Sequence, residues 1–125
     1  MRPPCRSAGL ASRARLGALS ECLAALWLQA HGCSVVARRR SIGGVEVDLL
    51  MRTRRLGLVV EVKSRSRSDL NVPAADLVSS DQRRRLQRAA EFLSVRLELP
   101  VRVDLVEIRW GRWPLIRWHR GPWAG

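Results

Sequence analysis

Asp48, Glu61 and Lys63 are the residues of this chain whose types and spacing could do chemistry together. Two carboxylates are hard oxygen donors, and a magnesium or manganese ion needs only one or two of them when it keeps waters and takes a substrate phosphate. A lysine two residues beyond one carboxylate shares its strand face. There it can position or deprotonate a water, or neutralise charge that develops on phosphorus. Of 23 basic residues Lys63 is the only lysine. Its ammonium can be desolvated to a useful pKa, which a guanidinium cannot. An arginine-rich coding habit would leave one lysine anywhere; its neighbours make this one informative.

Two strands must position these groups. Val45 to Arg52 and Gly57 to Lys63 read as strands joined by a short turn at Arg54 and Arg55. Strands alternate faces, so Glu46, Asp48 and Leu50 share one face of the first, and Val59, Glu61 and Lys63 one face of the second. A symmetric turn sets Leu50 opposite Val59, Asp48 opposite Glu61 and Glu46 opposite Lys63. That face starts apolar and becomes charged toward one end, as expected where charges emerge at the rim of a sheet buried on both sides. Like charges directly opposite destabilise a sheet by roughly 0.2–1 kcal/mol. The Asp48–Glu61 pair therefore asks for a cation, from Lys63 in part and from a divalent metal more fully. The carbonyl of Val62 could add a ligand. A structural ion pair is the competing reading.

Further elements frame the hairpin. From Leu16 to His31 the residues Leu16, Leu19, Leu23, Leu26 and Ala30 recur at helical spacing, and Gly32 is a natural stop. The opposite face carries Gly17, Glu21, Ala24 and Leu28, so this helix reads as covered on both sides, with Glu21 its only charge. A lone carboxylate there is costly unless paired or used. Cys33 to Arg38 reads as a first strand leading into the basic run Arg38, Arg39 and Arg40. The polar stretch Arg65 to Val78 reads as a loop, long enough to suggest function or mobility. Ser79 opens a second helix that runs to about Leu97, with Gln82 spaced as its capping-box partner, and Pro100 ends it. Val101 to Arg109 and Leu115 to His119 read as two last strands. The helix between the third and fourth strands implies a parallel pairing. The expected fold is α/β: a mixed central sheet of four to five strands flanked by two main helices, in the order α-β-β-β-α-β-β. Residues 16–120 form the single domain, 1–15 a flexible basic arm and 121–125 a tail.

A net charge of +12 on 125 residues favours nucleic acid or another anionic surface as partner. Arg83, Arg84, Arg85 and Arg88 at the start of the second helix, with Arg65 and Arg67 after the lysine, could grip phosphates beside the site, a reading that the net charge favours over a solvated face. Trp110, Trp113, Trp118 and Trp123 alternate with arginines near the C-terminus. They could stack on unpaired bases, but packing of a hairpin or a dimer interface is the favoured reading, and a homodimer is allowed. Three cysteines without CxxC spacing suggest neither disulfides nor zinc. His31 and His119 lack partners at metal-ligand spacing. No stretch is long and apolar enough to span a membrane, and residues 1–15 do not read as a secretory signal, so the cytosol is the expected compartment.

Asp48 followed after a short hairpin by Glu61-Val62-Lys63 resembles the D…ExK signature of the PD-(D/E)XK, or restriction-endonuclease-like, nucleases. More narrowly the chain resembles the YraN family of small bacterial proteins over about residues 16–120. The resemblance takes in Gly17 and Glu21, the segment Glu46 to Leu50, the segment Val60 to Arg65, Pro73, Gln82 and the arginines after it, and Arg102-Val103-Asp104. It departs at Val45, where the family usually has glycine, and at Asp81, where it tends to a basic residue. The resemblance implies a Mg²⁺- or Mn²⁺-dependent endonuclease acting on DNA, branched or single-stranded forms included, in preference to RNA. Glu21, Asp48, Glu61 and Lys63 would form its catalytic site. Asp48, Glu61, Glu21 and the Val62 carbonyl would hold metal, and Gln82 would help from the second helix. The alternatives are a nucleic-acid-binding module with a vestigial site, and an assembly protein that docks a partner through its tryptophan-rich end.

Overall fold

The computed structural model describes residues 5–65 and 69–124, with side chains described from Arg15 onward. Helix α1 (Cys5–Ala30) leads into strands β1 (Ser34–Ile42), β2 (Val45–Arg52) and β3 (Gly57–Arg65). A short 3-10 turn (Ala74–Leu77) precedes helix α2 (Ser80–Leu97), and strands β4 (Val101–Arg109) and β5 (Leu115–His119) complete the chain. The five strands form one mixed sheet in the order β1-β2-β3-β4-β5. Only the β3–β4 pair is parallel, as the α2 crossover requires.

Local chemistry accounts for the boundaries. Gly43 and Gly44, both at positive φ, make the two-residue turn between β1 and β2 that right-handed strand twist favours. The turn at Arg54 and Arg55 is symmetric, with Arg52 opposite Gly57 and Leu50 opposite Val59. The Ser79 hydroxyl caps α2 by accepting from the Gln82 amide at 3.2 Å. β1 runs on past Arg38 through Arg39 and Arg40 to Ile42, residues that the sequence reading left outside the strand. α1 begins at Cys5, well ahead of the expected Leu16, and so runs through most of the expected arm; residues 1–4 lie outside the described residues.

The sheet is buried between two cores. On one face Ala24, Ala25 and Leu28 of α1 pack on Leu49, Met51, Leu58, Val60, Val106 and Ile108. On the other, Leu86, Ala89, Ala90 and Leu93 of α2 pack on Val47, Leu50, Val59, Val103 and Leu105. α1 corrects an expectation. Its leucine stripe does not face the core, since Leu19 is 57% and Leu26 64% exposed; the opposite, small-residue face is the one on the sheet. Small side chains let the helix axis approach the strands closely, which a row of leucines would prevent.

One buried carboxylate fastens the C-terminal segment. Asp104 is fully buried and accepts from the Arg102 guanidinium (2.7 and 2.9 Å), the Trp118 indole (2.9 Å) and the Gly121 amide (2.9 Å). The Trp123 indole donates to the Ala75 carbonyl, so the expected tail is tied to the domain. Removing a buried anion orphans all its donors at once. Asp104→Ala is therefore expected to cost on the order of 3–5 kcal/mol in urea unfolding. Arg102→Ala should also be clearly destabilising, because it leaves the fully buried Asp104 carboxylate without its cation, with only the Trp118 and Gly121 donors remaining.

Candidate metal and phosphate site

The site forms where two strands part. β2 stays paired with β1 down to Val45 opposite Ile42, but its ladder with β3 ends at Leu49 opposite Val60. The expected Asp48–Glu61 and Glu46–Lys63 ladder pairs are therefore absent. Face alternation breaks at the same point: Leu49 joins the α1-side core, while Val47 and Leu50 both join the α2-side core. Across from Asp48 on β1, Arg39 takes a φ of 46°, in the left-handed region. This positive φ falls at the level where the β1–β2 hairpin parts from β3. The Asp48 carboxylate fills the gap, with one oxygen accepting the Val62 amide at 2.9 Å in place of a ladder carbonyl.

That substitution brings Asp48 against Glu61 by a route other than strand register. The two carboxyls are in hydrogen-bond contact, and Glu61 is buried. Burial first, then the hydrogen bond with Asp48 and its charge, push the Glu61 carboxyl up to about 9, with Glu21 adding to the rise and Lys63 opposing it. Two carboxylates this close share a proton or bind a cation. Gln82 reaches in from the first turn of α2 and donates its side-chain amide to Glu61. The capping box is thus only half formed, because the Gln82 side chain serves Glu61 rather than the Ser79 backbone.

An open cleft of about 420 Å³ collects these groups, lined by Gly17, Ser20 and Glu21 of α1, by Asp48, by Glu61 through Ser64, and by Gln82. The expected residues Glu21, Asp48, Glu61, Val62, Lys63 and Gln82 all meet there. Glu21 is held in an ion pair with Arg39 at 2.6 Å. Among the described residues no three His, Cys, Asp or Glu side chains form a ready metal cage. What remains is a pair of carboxyls that share a proton in the metal-free protein and whose hard oxygens are of the type magnesium or manganese takes. Lys63 has no hydrogen bond or ion pair with any described residue. Ser20 and Ser64, joined at 2.7 Å, complete the wall, and the Trp110 indole donates to Ser20 at 2.9 Å. They escaped sequence reading because they come from elements far apart in the chain and carry no spacing signal.

Several expected phosphate contacts are committed elsewhere. Arg65 is buried against Glu107 at 2.5 Å and also donates to the Asp69 carbonyl. Burial would raise the Glu107 carboxyl, but hydrogen bonds from Arg65 and His119 hold it below its ordinary value. Arg83 clasps the loop before α2 through the Val78 and Ala75 carbonyls and Asp76. Arg84 and Arg85 are exposed on α2 but line a separate groove with Asp81, Gln87, Arg88 and Glu91, and Arg84 pairs with Asp81 at 2.7 Å. Arg67 lies outside the described residues. Trp110, Trp118 and Trp123 spend their indole N–H groups on internal partners, which favours packing over stacking for those three.

The raised Glu61 carboxyl makes a stability prediction. The folded state binds a proton that the unfolded chain has released above its own pKa near 4.5. Stability of the metal-free protein is therefore highest in acid as far as this group is concerned, and it is lost as pH rises toward about 9. Urea unfolding at pH 5, 7 and 9 in EDTA should show the decline, and Glu61→Gln should flatten it.

A protein-family model matches residues 20–108 and is described as uncharacterised protein family UPF0102. A UPF0102 protein of Parvibaculum lavamentivorans is 43% identical over 104 residues, covering 80% of this chain and 76% of that protein. One from Paramagnetospirillum magneticum is 40% identical over 120 residues, covering 90% and 89%, and one from Caulobacter vibrioides 38% over 113 residues, covering 87% of each. The matched segment spans every strand but β5 and all the cleft residues from Ser20 onward. The chain belongs to UPF0102, the family that its Asp48 and Glu61-Val62-Lys63 pattern resembles under the name YraN.

Proposed function

We propose that the protein is a metal-dependent nuclease that hydrolyses phosphodiester bonds in DNA. The observation that carries this reading is the Asp48–Glu61 pair, held together in the cleft of a basic domain beside a lysine that makes no hydrogen bond or ion pair with a described residue. A Mg²⁺ or Mn²⁺ ion, held by Asp48, Glu61 and the Val62 carbonyl, would supply Lewis acidity toward the phosphate and a lowered pKa for an attacking water. Gln82 fixes the rotamer of Glu61, and the Val62 amide fixes Asp48, so both carboxylates are oriented before substrate arrives. The Lys63 ammonium meets negative charge that builds on the phosphoryl oxygens. Arg84 and Arg85, exposed on α2, hold the flanking backbone by charge.

A second reading has its own support. Glu21 is engaged by Arg39 and Glu61 by Gln82, so a nucleic-acid-binding module with a vestigial site would look similar. Labelled single-stranded, duplex and branched DNA, incubated with magnesium, manganese or EDTA, separates the two. Metal-dependent cleavage is expected, with Asp48→Ala, Glu61→Ala and Lys63→Ala each slower by about 10²-fold or more. Cleavage equal in wild type and variants would sink the enzyme. Salt-sensitive binding that survives loss of both carboxylates, with no cleavage by wild type, would leave the binding module.

A further inference from the structure

We infer that the β4–β5 turn is a stacking platform for an unpaired base, so that the strand entering the cleft is recognised by single-stranded nucleotides beside it. This rests on the nuclease reading and names its substrate class.

Placement is the first argument. β3 and β4 are parallel, with Arg65 beside Arg109, so the turn after Arg109 leaves the sheet at the rim that carries Lys63. Two residues of strand, about 7 Å, separate Lys63 from Arg65. The tip of the turn therefore lies on the order of 10–20 Å from the ammonium, a reach of a few nucleotides. The turn is also built into the cleft wall: it starts at Trp110, which bonds Ser20, which in turn meets Ser64.

The second argument is the state of its side chains. Trp113 is 78% exposed and makes no hydrogen bond with a described residue, unlike Trp110, Trp118 and Trp123. An indole left in water forgoes the stabilisation that burial gives its neighbours, so packing does not account for it. Arg109, Arg112 and Arg117 surround the turn, all exposed, and none pairs with a described carboxylate. An aromatic face among free guanidiniums complements a base flanked by phosphates. In a duplex the base faces are already covered by their neighbours, so an unpaired base is what this surface fits.

Fluorescence anisotropy tests the inference, using a labelled oligothymidylate of roughly 16 nucleotides and a duplex of the same length, with calcium present to hold cleavage off. Trp113→Ala should weaken single-strand binding about 5- to 150-fold, as loss of one base–aromatic stack does, and leave duplex binding within about twofold. Trp113→Phe should restore most of the loss. Thermal unfolding should be unchanged, since the side chain is exposed. Wild-type binding that Trp113→Ala leaves intact, or weakens equally for strand and duplex, overturns the platform and spares the nuclease reading. Wild type that binds neither probe overturns both.

Discussion

The hydrogen bond from the Val62 amide to the Asp48 carboxylate decides how this small domain is organised at its functional end. An interior strand must satisfy every amide, and a ladder carbonyl is the ordinary partner. Here β2 has already turned away with β1, and a side chain completes the accounting. The exchange has three effects at once. It lets the sheet open without orphaning a buried amide, it locks an acidic side chain to the strand that carries Glu61, and it forces two carboxylates together in a place that water only partly reaches.

The remainder of the site relieves that crowding. Gln82 donates to Glu61, Lys63 lies close enough to oppose the rise in its pKa, and Arg39 draws Glu21 to one side. A fold that needed only stability would be served by apolar residues at these positions, since buried charge is seldom worth more than a well-packed alkyl group. Asp104 shows the contrast. It too is a buried carboxylate, yet four donors hold it and none of them comes from a residue lining the cleft, so it reads as a joint for the C-terminal segment.

Much of this was legible in the residues. Period-two patterning located β2 and β3, the Pro100 stop and the apolar run after it located β4, and the crossover rule supplied the one parallel pair. The charged end of an otherwise apolar hairpin marked Asp48, Glu61 and Lys63. What strand patterning could not carry was the break at Asp48, because alternation assumes an unbroken ladder and a positive φ at an arginine has no compositional signal. The α1 stripe misled for a related reason: leucines at helical spacing mark an apolar face, whereas close packing on a sheet favours Ala24 and Ala25. Arg65 and Arg83 looked like free cations in a run, and only their neighbours in space show them bound to Glu107 and to the loop before α2.

The chain order has a consequence for how the protein comes into being. Ser20, near the start, finds its indole partner in Trp110, near the end, and β3 gains its parallel neighbour only when β4 follows α2. The carboxylates are made before Gln82 and Trp110, the groups that brace Glu61 and Ser20. During synthesis, then, the acidic pair stays in an incomplete sheet until α2 and β4 have followed β3. A domain of this topology cannot close the cleft around its acidic pair until the crossover helix and the strand after it are in place.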